Sequence, residues 1–134
     1  MKTEILKEKY IKYNLTKDDV FKHQHYVIIT RTGIEKIEAQ ENIHITYQSI
    51  VNEPNFAVIQ AFGELNDRRM QTFGSALKGA NYKDGNTNTW YVAEMAEKRA
   101  FSRIVLKLTG FYALGVFGED ESDDFKKKIK TIKE

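Results

Sequence analysis

Arg99 and Arg103 stand four residues apart, the spacing that stacks side chains along one flank of a helix, and Lys107 continues the row while drifting toward an apolar edge. Such a row can follow a phosphate backbone, each cation meeting an anionic oxygen and releasing a counterion. The same cations can instead pair with Glu94, Glu97 and acids further along, as an ordinary solvated flank. Spacing alone does not decide between the two. Just upstream, residues 77–91 interleave Lys78, Tyr82, Lys83, Trp90 and Tyr91. Cations and aromatic planes in that mixture suit sequence-tolerant binding of single strands, where a stacked base contributes about 1–3 kcal/mol. Trp90 beside a helix start can equally be a staple under the first turn.

Other constellations carry less. Gly74 and Gly79 around Lys78 lack the spacing of a phosphate-cradling loop, so nucleotide hydrolysis is not expected. His23 and His25 could share a face of an extended segment, but no paired carboxylates accompany them, and they read as surface residues. Glu119, Asp120, Glu121, Asp123 and Asp124 are contiguous and lead into a helix start. A hydrolytic Mg²⁺ site needs carboxylates converging from separate elements, so capping and solvation explain them better. No catalytic residue, metal site or cofactor is expected, and the chain reads as a non-enzyme.

The chain has 134 residues, with 41% hydrophobic content and 12% aromatics, enough for one domain with a core. It has no cysteine, hence neither disulfides nor thiolate ligands, and its first residues lack the apolar run of a signal peptide or membrane span. A soluble cytoplasmic protein is the expectation, in the host cytoplasm if phage-encoded. The net charge of +2 hides an asymmetry, because setting aside the five clustered acids leaves +7 on the rest. A basic body favours a polyanionic partner, although lysines also serve plain solubility.

The elements that must position these residues follow from periodicity. Leu6, Tyr10 and Tyr13 predict an amphipathic helix over residues 3–13, and Thr16 with Asp18 and Asp19 a second short helical turn, completing a helical segment over 1–25. Val27, Ile28, Ile29 and Thr30 read as a strand ended by Gly33, followed by a short helix over 33–40. Ile43, Ile45 and Tyr47 alternate with polar residues, Pro54 marks a turn, and strands over 56–65 and about 69–77 complete an antiparallel meander. After a loop over 78–89, Thr89 can cap the longest helix, residues 90–109, which Gly110 closes. In it Ala93, Ala96, Ala100, Ile104, Leu108 and Phe111 form one stripe whose small residues allow close approach to a sheet. Met95, Val105 and Leu106 lie off that stripe, so a second layer or another subunit must cover them. The acids and lysines of 119–134 form a last helix carrying Phe125, Ile129 and Ile132. The fold class is α+β: a curved antiparallel sheet of three to four strands, packed by a long helix toward the C-terminus and flanked by short ones.

The short helix over 33–40, the strands ITYQSIV, FAVIQAFGEL and TFGSALKG, and the helix AEMAEKRAFSRIVLKLTGF resemble the single-strand annealing superfamily over roughly residues 33–115. That superfamily comprises the Erf-like and Sak-like phage recombinases and the Rad-fifty-two-like fold. The resemblance implies rings or filaments of a curved sheet backed by a helix, with single-stranded DNA in a basic groove between sheet and helical layer. By that implication Lys98, Arg99, Arg103 and Lys107 on the helix and Arg68 and Arg69 at the hairpin meet phosphate. The resulting expectation is a self-associating protein that holds single-stranded DNA, with RNA not distinguished, without sequence readout. Its work would be to protect or anneal strands in phage replication or recombination. The alternative is a non-enzymatic oligomeric or scaffold module that docks replication and recombination proteins through its apolar helix face.

Overall fold

A computed structural model describes residues 2–23, 26–79, 85, 87 and 91–121. Tyr82, Lys83, Trp90, Thr89, His25 and the expected C-terminal helix from residue 122 lie outside them. The chain is α+β, with two sheets of three strands and one long helix between them. Helix α1 (Lys2–Lys12) is followed by a hairpin of β1 (Val20–His23) and β2 (Tyr26–Ile29), then α2 (Arg31–Glu41). The meander of β3 (His44–Asn52), β4 (Phe56–Leu65) and β5 (Arg68–Leu77) comes next, in that spatial order and antiparallel throughout. Helix α3 (Val92–Leu108) leads through a 3-10 turn at Tyr112–Leu114 to β6 (Val116–Gly118), which pairs parallel to β2.

The first departures from expectation lie near residue 16. Thr16 and Asp19 close a single turn: the Thr16 N–H donates to Asp19 Oδ2 at 2.9 Å, and the Asp19 N–H to the Thr16 carbonyl. No second helix follows, because the Asp19 carbonyl then takes the Thr30 N–H and starts the β1–β2 ladder. The Asp19 carboxylate is buried and bound by Lys36 Nζ at 2.6 Å; that hydrogen bond, with the one from Thr16, holds the carboxyl below its ordinary range. Gly33 does not end a strand but sits inside α2, which starts two residues earlier with Thr30 as its N-cap, the hydroxyl accepting from the Gly33 N–H. A Cβ at Gly33 would come within 2.6 Å of Ile29 Cγ2, so only glycine lets α2 turn this tightly over β2.

Helix α3 also starts later than expected, at Val92, with Tyr91 at the cap position, and Gly110 closes it with a φ of +84°. Its stripe of Ala96, Ala100, Ile104 and Leu108 is buried, with Ala93 half-buried at its start. The stripe meets Ala57, Ile59, Ala61, Gly63, Gly74 and Ala76 on the inner face of the meander. Small residues on both sides bring the backbones into contact: a Cβ on Gly74 would stand 2.2 Å from the Ala96 carbonyl oxygen. The opposite side of α3 is covered by the chain itself. Ser102 packs on Gly118 of β6, and Val105 and Leu106 are fully buried in the shared core with Ile34, Ile37 and Val116. Of the two expected covers, a second layer or another subunit, the layer of α2 and the small β1–β2–β6 sheet covers Val105 and Leu106; its β2 and α2 are legible in sequence, its short β1 and β6 are not.

Candidate nucleic-acid interface

The cations expected to line one groove are dispersed. Arg99 is only 2% exposed; its Nε donates to the Asp120 carbonyl at 3.1 Å and its guanidinium to the Ser75 carbonyl at 2.9 Å. It is therefore a structural arginine, not a surface contact for phosphate, and the reason is the neighbouring sheet edge. β5 is an edge strand, and α3 lies antiparallel beside it, so Arg99 and Arg103 reach its outward carbonyls at Ser75 and Phe73. Arg103, half-buried, makes the second of these contacts at 2.8 Å. Lys107 lies half-buried over the Tyr112 ring at 5.5 Å, and Lys98 is exposed about 100° round the helix from Arg99.

At the hairpin, Arg68 and Arg69 part company. Arg68 donates to the Leu108 carbonyl at 2.8 Å, and Lys9 donates to that of Thr109 at 2.6 Å. Two cations thus complement the negative end of the α3 dipole. They rim a cleft of about 390 Å³ with Lys12 and Tyr13, but Lys12 is paired with Glu41 at 3.1 Å, so the positive charge there is already spoken for. Burial, then the neighbouring Lys12, pushes the Lys9 ammonium below its ordinary range. Arg69 instead projects from the outer face of the sheet, directly opposite Glu64 and 2.8 Å from its carboxylate. Lys78 is exposed at the end of β5, where a parallel bridge joins it to Thr87.

The rim between β3 and the helices is acidic. Tyr47 lies there, on the helix-facing side of β3 opposite Ala61. Burial and then Glu97 push its hydroxyl up to about 12, with Glu38 adding to the effect. Arg31, which opposes them, is engaged with Glu35 at 3.0 Å, with Asp120 at 3.5 Å and with the Phe101 ring at 4.7 Å. Asp120 also accepts from the Ser102 hydroxyl at 2.7 Å, and Glu119 accepts the Arg31 N–H at the start of α2. These members of the acidic cluster are tertiary anchors as well as caps.

The outer face of the meander is what sequence spacing missed. β4 and β5 bury alternate residues, and the residues between them face away from α3: Phe56, Val58, Gln60, Phe62 and Glu64 on β4, with Arg69, Gln71, Phe73, Ser75 and Leu77 on β5. Phe62 and Phe73 are 37% and 44% exposed. In register Phe62 faces Gln71 and Phe73 faces Gln60, so the two aromatic residues take one diagonal of a square of positions, a diagonal that in antiparallel sheets spans about 7–8 Å between residues. The glutamines hold the other diagonal, Gln60 Nε2 donating to Gln71 Oε1 at 2.8 Å. A concavity of about 340 Å³ opens beside them, lined by Phe62, Glu64, Arg69 and Gln71 with Gly63 and Met70. Two exposed aromatic rings with hydrogen-bonding amides between them can stack bases, and Arg69 at the rim can meet a phosphate in exchange for its Glu64 partner.

Comparison with protein-family models, curated proteins and solved structures returns no match. The reading of this surface therefore rests on its own chemistry. Among the described residues no group of three or more His, Asp or Glu is placed to hold a metal ion. Nor is any helix long and apolar enough to cross a membrane.

Proposed function

We propose that this protein binds single-stranded nucleic acid, DNA in the first instance, on the open face of the β3–β4–β5 sheet, and does so without catalysis. The observation that carries the reading is the exposed Phe62–Phe73 diagonal. Burying such rings against solvent-exposed bases needs no sequence match, because every base has a stacking face. Lys78 and Arg103 around β5 supply charge for the backbone, and Arg69 can add its own by leaving the solvent-exposed pair with Glu64, with the basic balance of the chain in support. Protection or annealing of strands in phage-type replication and recombination is the work such a surface suits.

A second reading has its own support. Toward the other end of the same face Val51, Phe56, Val58 and Leu77 form an apolar patch, a surface that a scaffold or interaction module would present to a protein of the replication machinery. Salt separates the two. Gel shifts with a single-stranded and a duplex oligonucleotide at rising salt should give preference for the single strand. The log–log slope should be about −0.7 for each phosphate neutralised. Equal affinity for duplex, or no shift at low salt, would leave the interaction module as the better account.

A further inference from the structure

The edges of the two sheets are treated differently, and the difference points to a partner. The β5 edge is closed: Arg99 and Arg103 occupy the Ser75 and Phe73 carbonyls, and the Lys78–Thr87 bridge covers the strand end. In the small sheet β1 and β6 are edges of only four and three residues, too short to template a partner strand. Among the described residues nothing comparable protects the edge of β3. It runs nine residues, His44–Asn52, with no Lys, Arg, Asp, Glu or Pro, and nearly every residue is exposed. Among the described residues no hydrogen bond reaches its outer backbone, and its one interruption is the register shift between Ser49 and Val51. His44 to Ser49 remain as a regular, uncharged strand paired with β4 on one side and, among the described residues, with nothing on the other.

We infer that two copies of this chain join through their β3 edges into a closed dimer with a single six-stranded sheet. The occupant is a second copy because the edge complements itself. An antiparallel pairing about a twofold axis matches donors to acceptors with no charge to repel, and it sets the two bulges symmetrically outside the paired segment. The association closes at two. A ring or filament would need β3 of one copy on β5 of the next, and that edge is already occupied. A twofold axis perpendicular to the sheet keeps both outer faces on the same side, so the Phe62–Phe73 diagonals of the two copies lie on one continuous surface.

The association is measured without nucleic acid, so its failure and the failure of the binding reading are distinguishable. Light scattering on the full chain should give twice the mass of one chain. Since the chain has no cysteine, single variants Thr46→Cys, Tyr47→Cys and Gln48→Cys each report on their own distance across the axis. At least one of them should cross-link under mild oxidation far faster than Lys17→Cys, exposed in the turn before β1. The Thr46→Lys, Gln48→Lys double variant should return the mass of one chain while its melting temperature, extrapolated to low concentration, matches that of the parent. The inference is overturned by a single-chain mass at every concentration, by a mass above two chains, by β3 cysteines that link no faster than the control, or by a folded double lysine variant that remains dimeric.

Discussion

Arg99 and Arg103 carry the same chemistry at the same helical spacing, yet the fold gives them different work. Arg99 → Ala removes the donor to two backbone carbonyls from a buried site and opens a cavity there, so it should cost about 2–4 kcal/mol of stability, read as a shifted urea midpoint. Arg103 → Ala should be milder in stability. If Arg103 serves phosphate as well as the Phe73 carbonyl, that change should also flatten the salt dependence of strand binding by about 0.7 in log–log slope. A stable Arg99 → Ala protein with lost affinity would contradict the assignment of that side chain to the β5 edge. Spacing made both arginines visible but could not separate them, because the deciding partners are carbonyls of a strand distant in sequence. Tyr82, Lys83 and Trp90, the aromatic and basic loop candidates, lie outside the described residues, and their roles rest on sequence alone.

At the scale of elements, the contact between α3 and β5 is the tightest in the core and the easiest to break. Gly74 → Ala would drive a methyl into the Ala96 carbonyl and the Ala100 amide, which are backbone and cannot swing aside, so a loss of about 3 kcal/mol or more is expected in chemical denaturation. The Asp19–Lys36 pair ties the turn before β1 to α2. Because the folded carboxyl titrates below its unfolded value, its stabilisation is present above the ordinary carboxylate range and is lost as pH falls through the folded value. Asp19 → Asn should therefore lower the urea midpoint at pH 7 and flatten its decline between pH 5 and 3; an unchanged acid profile would show that the pair does not couple to folding. Much of this level was legible in the sequence. The alanine stripe of α3, the alternation of β4 and β5, the turn at Pro54 and the closing Gly110 each carry a local signal. β1 and β6 do not, since three or four residues give no period and β6 exists only by pairing with β2. One available signal for the open face went unread. Ala57, Ala61, Gly63, Gly74 and Ala76 alternate with larger residues, and a small-residue sheet face opposite an alanine-striped helix forces Phe62 and Phe73 to the other side.

For the whole molecule, the apolar second half of α3 no longer argues for a partner, because α2 and the β1–β2–β6 sheet cover it. Among the described residues one sheet face and one sheet edge stay uncovered, the first proposed here for bases and the second for another copy of the chain. Among the described residues charge is spread over the surface instead of gathered in a groove, so affinity at this face should draw more on stacking than on phosphate contacts, with a correspondingly shallow salt dependence. The most direct test is an anisotropy titration of a fluorescent single-stranded oligonucleotide against the parent protein and the Phe62 → Ala, Phe73 → Ala double variant across a salt series. Both rings stand outside the core and are 37% and 44% exposed, so the variant should stay folded with a modestly lower melting temperature. The account predicts a loss of about 1–3 kcal/mol in affinity for each lost stack, with the salt slope unchanged. A folded double variant that binds the oligonucleotide as tightly as the parent would contradict it.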